Sequence, residues 1–127
     1  MTAILLDTHA WIWSLSADSR LTPSARAAIA EAELVLVSPI SFFEIAQKVR
    51  LGKWPEMVPF VGRLGAILSE QGGIAATFSP EICLRAGMMD WEHRDPFDRL
   101  ILTTAQVLNV PLVSADKVFD GRITQIW

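Results

Sequence analysis

Short, unbroken apolar runs recurring between helix-forming stretches restrict this chain more than any other feature. Ala3–Leu6 and Leu34–Val37 carry no polar alternation, and Pro111–Ser114 is nearly as apolar. Strands of that kind are buried on both faces, the habit of parallel sheets. Ile74–Phe78 reads as a further strand and Ile123–Trp127 as one at the sheet edge. The segments from Thr8 to Asn109 that separate the runs are helical in pattern, which suits right-handed crossovers. The sequence therefore predicts an α/β fold: a central parallel sheet of four to five strands with helices on both faces, in one domain over residues 1–127.

Helix boundaries follow from capping chemistry. Thr8–Leu15 has helical character directly after Asp7, and Thr22-Pro23 opens a second helix whose Ser24–Ala32 stretch is rich in helix formers. Ser41 and Glu44 stand at capping-box spacing, which predicts a helix entered there and running through Ile45, Ala46 and Val49 to Gly52. Glu56–Glu70 reads as one amphipathic helix on Val58, Val61, Leu64 and Leu68, weakened by Gly62 and Gly65. Gly72-Gly73 breaks it, and Ser79-Pro80-Glu81 starts another. The most informative start is His93–Leu102. There Asp95 is a good N-cap, Pro96 is pre-set for the first helical position, and Asp98 falls in the first turn. Leu100, Ile101, Ala105 and Leu108 then bury the helix, which closes near Asn109.

A net charge of -3 offers nucleic acid no whole-molecule attraction, so any such binding falls to local basic residues. A single cysteine excludes an internal disulfide, and Ile82 and Leu84 beside Cys83 predict a buried, inert thiol. No run reaches the length of a membrane span and the start lacks the pattern of a signal peptide, which predicts a cytoplasmic protein with no membrane partner. Half the residues are hydrophobic, a surplus that leaves room for a partner surface. No Cys or His pair has zinc spacing, and serine-nucleophile motifs are missing.

In parallel sheets, ligands bind beyond the carboxyl ends of the strands. Asp7 and Asp116 end two strands on that edge, and Glu44, Asp95 and Asp98 stand in first turns of helices beginning there. Each alone has an ordinary role as cap, first-turn acid or turn former. Together, five carboxylates repel one another unless a cation compensates. No basic residue lies in the Asp7 turn. A site for a hard divalent ion, Mg²⁺ with Mn²⁺ able to substitute, reconciles the set.

Asp7-Thr8-His9-Ala10-Trp11, Ser41–Glu44 followed by Lys48 and Gly52-Lys53, His93–Ile101, and Val113–Asp116 before Phe119 together resemble the PIN-domain ribonucleases. More narrowly they resemble the VapC-type toxins of bacterial toxin–antitoxin pairs, and the likeness extends to Ile126-Trp127. The resemblance implies metal-dependent hydrolysis of RNA phosphodiester bonds by an endoribonuclease toxin, a cognate antitoxin that neutralises it, and a homodimer. It places the catalytic acids on Asp7, Glu44, Asp98 and Asp116. Asp7 and Asp98 would be the main metal ligands, with Glu44 and Asp116 completing the set directly or through water. Asp98 takes the third place because the helix Leu100–Ala105 aligns that way. Asp95 is left as a fifth ligand, a support for a ligand, or a cap alone. One departure stands out: many relatives carry another acid two residues after the last aspartate, where this chain has Val118.

Lys48, Arg94, Arg99 and Lys117 are candidates for substrate phosphates, with Arg50 and Lys53 near them; solvated ion pairs are their ordinary alternative. His9 and His93 could touch substrate or serve as structural hydrogen bonders. Ser114 is a candidate support for the acids or strand-end packing. Trp11, Trp13 and Trp54 could stack bases or fill the core, and Trp11, Trp13 and Phe42 also mark a groove for an antitoxin segment or dimer contacts. A function of another class is a non-catalytic, Mg²⁺-holding signalling module of receiver type. It needs an early acidic pair and a strand-end lysine, but the early acid is single and Lys117 is misplaced. A PIN fold kept only for protein binding is a third reading, against which the intact acids stand.

Overall fold

Ile4 and Leu6 pack into one core and Leu5 into another, so β1 (Ala3–Leu6) is covered on both faces. Successive strand residues point to opposite sides, which is why neighbouring apolar residues divide in this way. Val37 and Val113 join the first core, Leu36 and Leu112 the second. The computed structural model, which describes residues 2–127, completes the sheet with β2 (Leu34–Val37), β3 (Ile74–Ala75), β4 (Leu112–Val113) and β5 (Gln125–Ile126). Strand order is β3-β2-β1-β4-β5, and every pairing is parallel. β1 is central, in register with β2 from Ala3 opposite Leu34 to Leu6 opposite Val37, and with β4 at Leu5–Leu112 and Leu6–Val113. All five expected strands are present, although β3, β4 and β5 are shorter than Ile74–Phe78, Pro111–Ser114 and Ile123–Trp127 suggested.

The first core is closed by α1 (Thr8–Leu15), α2 (Pro23–Glu31), α3 (Pro39–Arg50) and α4 (Leu64–Glu70), through Trp11, Ala25, Ile45, Leu64 and Leu68. Trp11 is fully buried and its indole N–H donates to Gln71 Oε1 at 3.0 Å, so it belongs to the core and is no base-stacking platform. On the other face α6 (Pro96–Leu108) presents Ile101, Leu102 and Ala105, with α5 (Pro80–Met88) packed along it.

Three expectations are corrected. The helix α3 begins at Pro39, not at Ser41: Ser38 is its N-cap and accepts a hydrogen bond from Ile40 N–H, with Pro39 at the first position. Ser41 and Glu44 therefore lie inside the helix. The stretch Glu56–Glu70 is not one helix but two 3₁₀ turns, Pro55–Met57 and Val61–Arg63, followed by α4. Pro59 has no amide hydrogen to continue a ladder, and Val58, expected inside, is 57% exposed. Cys83 is exposed on α5 instead of buried.

Candidate active site

Each acid is delivered to the carboxyl edge of the sheet by a different element. Asp7 follows β1 directly and caps α1 from extended backbone, its Oδ1 accepting from Ala10 N–H at 2.8 Å. It is 9% exposed and also accepts from the hydroxyl of Ser114, which itself is fully buried after β4. Burial raises the Asp7 carboxyl to about 6, with the charges of Asp98 and Glu44 adding to the rise and the two hydrogen bonds opposing it. Ser114 also accepts from Asp116 N–H at 3.1 Å, tying two of the acids to one side chain.

Glu44 projects from α3 and is buried, paired with Lys48 Nζ at 2.8 Å one turn on. That ammonium also lies 4.5 Å from the centre of the Trp54 ring. Asp98, in the first turn of α6, has its Oδ2 2.7 Å from His93 Nε2. Burial pushes its carboxyl up, the charges of Asp95 and Asp116 add to this, and His93 works the other way. Asp95 is the N-cap that the sequence predicted, and its Oδ1 accepts from Phe97 N–H at 2.8 Å and Asp98 N–H at 3.3 Å. Asp116 is exposed and caps the 3₁₀ turn Lys117–Phe119. Gln125 of β5 donates to the carbonyls of Ser114 at 2.9 Å and Asp116 at 2.7 Å, fixing that loop against the sheet edge.

Asp7, Glu44, Asp95, Asp98 and Asp116 all line one open cleft of about 340 Å³, together with His9, Trp13 and Lys48. The tightest grouping among them involves a residue outside the acid set: ligand atoms of His93, Asp95 and Asp98 lie within 4.8 Å of one another. No trio drawn from Asp7, Glu44, Asp98 and Asp116 gathers as closely among the described residues. The donor set suits a hard divalent cation. It is oxygen-rich, and its innermost carboxyl is pushed up to about 6, chiefly by burial and further by the charges of Asp98 and Glu44, a cost that a bound cation offsets.

The basic candidates divide. Lys48 lines the cleft, engaged with Glu44. Arg94 and Lys117 are exposed and do not line it. Arg99 is a correction: its guanidinium donates to the carbonyls of Ala86 at 2.9 Å, Trp91 at 2.8 Å, His93 at 3.0 Å and Met89, so its donors are spent on the chain and not free for phosphate. It clamps the segment that leads into α6. His9 is wedged between Trp13 and Trp54, ring centres 5.5 and 5.3 Å away, and its removal from water lowers its pKa. The His93–Asp98 pair and the Arg99 clamp were not foreseen. Only the closeness of His93 and Asp98 in the chain hinted at the first.

The PIN domain family model matches residues 4–122, and the chain belongs to the PIN-domain family. Among individual proteins it is similar to Ribonuclease VapC22 of Mycobacterium tuberculosis (strain ATCC 25618 / H37Rv), with 30% identity over 118 residues, 92% of this chain and 89% of that one. Its fold is shared with a solved toxin–antitoxin complex from Klebsiella pneumoniae (TM-score 0.63, 20% identity, 93% of this chain and 91% of that chain). It is shared also with VapBC2 from Rickettsia felis, solved bound to a DNA fragment from its promoter (TM-score 0.67, 17% identity, 98% and 97%). No helix among the described residues is long and apolar enough to cross a membrane.

Proposed function

We propose that this protein is a divalent-metal-dependent endoribonuclease that hydrolyses RNA phosphodiester bonds, the toxin of a toxin–antitoxin pair silenced by a cognate antitoxin. The observation that carries the reading is the gathering of five carboxylates from four distant segments in one cleft, with Asp7 buried among them. The similarity to a ribonuclease VapC over most of the chain and the shared fold of two toxin–antitoxin structures support it. The receiver-type module is not favoured: the chain belongs to the PIN-domain family.

Asp7 and Asp98 would hold the ion, Mg²⁺ or Mn²⁺, with Glu44 and Asp116 completing its shell. When bound, such an ion acidifies water and stabilises charge on the attacking and leaving oxygens of the phosphodiester. The chain's own residues do the rest. Asp7 must be deprotonated to serve, and Ser114 keeps its carboxylate oriented while tethering the Asp116 loop. Lys48 sits on the cleft wall where a backbone phosphate would arrive, its charge balanced by Glu44 in the meantime. His9 and Trp13 form the wall next to it and offer aromatic surface to an unstacked base.

The test is Asp7→Asn. Asparagine is an equally good cap for α1, so folding should persist while cleavage of RNA in Mg²⁺ buffer falls by at least about a thousandfold. RNA cut at the wild-type rate by a folded Asp7→Asn protein would end this reading.

A further inference from the structure

His93 introduces nitrogen into a neighbourhood otherwise built from oxygen. Its Nε2 stands 2.7 Å from Asp98 Oδ2, and the ligand atoms of His93, Asp95 and Asp98 fit within 4.8 Å. Bonds of roughly 2.0–2.2 Å to a first-row divalent ion put adjacent ligand atoms about 3 Å apart and opposite ones a little over 4 Å apart. The three side chains lie close to that interval, with His93 Nε2 and Asp98 Oδ2 at 2.7 Å and no pair of ligand atoms beyond 4.8 Å, so small side-chain adjustments suffice.

Three separate contacts hold the group in place beforehand. The Trp91 ring lies 4.9 Å from that of His93 and restricts the imidazole plane. Arg99 grips the carbonyls of Trp91 and His93, fixing the backbone that carries the ring. The α6 cap uses Oδ1 of Asp95 alone, which leaves its second oxygen for a ligand. Asp98 belongs both to this trio and to the cleft it shares with Asp7. An ion there would be coordinated by residues of the nuclease site and by one imidazole from outside the four inherited acids.

We propose that His93, Asp95 and Asp98 form a nitrogen-bearing face of the metal site, and that His93 makes the site prefer first-row transition ions over Mg²⁺. The chemistry is that of ligand softness. Mg²⁺ favours an all-oxygen octahedron with retained waters, whereas an imidazole donor favours first-row transition ions, with a gain that is smallest for Mn²⁺ and grows along the row. The proposal rests on the metal-dependent nuclease reading and adds to it which ions the site selects, and by which residue.

Binding measured on the metal-stripped full-length chain, without RNA, tests it. Mn²⁺ and Mg²⁺ are titrated calorimetrically, and the Mn²⁺ complex is examined by pulsed electron paramagnetic resonance. The wild type should bind Mn²⁺ more tightly than Mg²⁺ and show nitrogen hyperfine coupling from a ligating imidazole. His93→Gln should lose that coupling and bind Mn²⁺ at least about tenfold more weakly, with Mg²⁺ affinity changed by less than about threefold. The wild-type spectrum decides the matter even if the variant folds poorly. Mn²⁺ bound without nitrogen coupling, or an undiminished Mn²⁺ preference in folded His93→Gln, would overturn the assignment of His93 and leave the nuclease reading standing. Failure of the wild type to bind either ion would overturn both.

Discussion

Asp7 is asked to be a charged ligand in a place that discourages charge. Its carboxyl is lifted to about 6 from an ordinary 3.8, chiefly by burial. A carboxyl whose folded pKa is raised binds more protons folded than unfolded between those two values. In the metal-free protein, stability should therefore fall as pH rises from about 4 to about 6 and stay lowered above that. The loss is of the order of 2–3 kcal/mol. Asp7→Asn keeps the α1 cap and removes the titration, so with chelator present it should be the more stable protein at pH 7.5, the advantage shrinking towards pH 4.5. Urea unfolding at the two pH values measures this. An advantage that does not change with pH would show that burial of the charge is not its cause.

Among helices, α6 gathers the most roles in the fewest residues. Asp95 caps it, Asp98 enters the cleft, and Arg99 anchors the incoming segment. Asp95→Asn should leave stability nearly unchanged, whereas Asp95→Ala should lose about 1 kcal/mol with the cap. If Asp95 is also a ligand, both variants weaken Mn²⁺ binding; calorimetry beside thermal melting separates the two roles. Arg99→Lys should cost about 2–4 kcal/mol, because one ammonium cannot serve four carbonyls as the guanidinium fork does. A phosphate-contacting Arg99 would instead leave the melting temperature untouched.

These helices also show what could be read from the sequence. Asp95-Pro96 gave the start of α6 because cap and proline are local signals. The start of α3 is ambiguous in the sequence because two such signals compete: Ser38-Pro39 and the Ser41–Glu44 spacing both fit, and the chain uses the first. That shift matters to the site. It puts Ser41 inside the helix, where it accepts from the Thr8 hydroxyl at 2.9 Å. The role of Arg99 was out of reach, since its acceptors are main-chain carbonyls placed by tertiary packing, which no pattern of residue types records. The five acids were legible because the ends of parallel strands converge whatever the loops between them do.

For the molecule as a whole, a ligand held only by the folded state stabilises it in proportion to its occupancy. Saturating Mn²⁺ at about a hundred times its Kd should stabilise the wild type by about 2.7 kcal/mol and raise its melting temperature, with little effect on Asp7→Asn. Equal shifts in both proteins would place the ion somewhere other than the Asp7 cleft.

The strand order has a consequence in time as well as in space. β1 lies between β2 and β4, and β5 supplies the glutamine that steadies the Asp116 loop. Asp7, after the central strand, and Asp116, on a loop steadied by the edge strand, face each other only when the sheet is complete, so fraying at the β5 edge would loosen the cleft before the central strands give way.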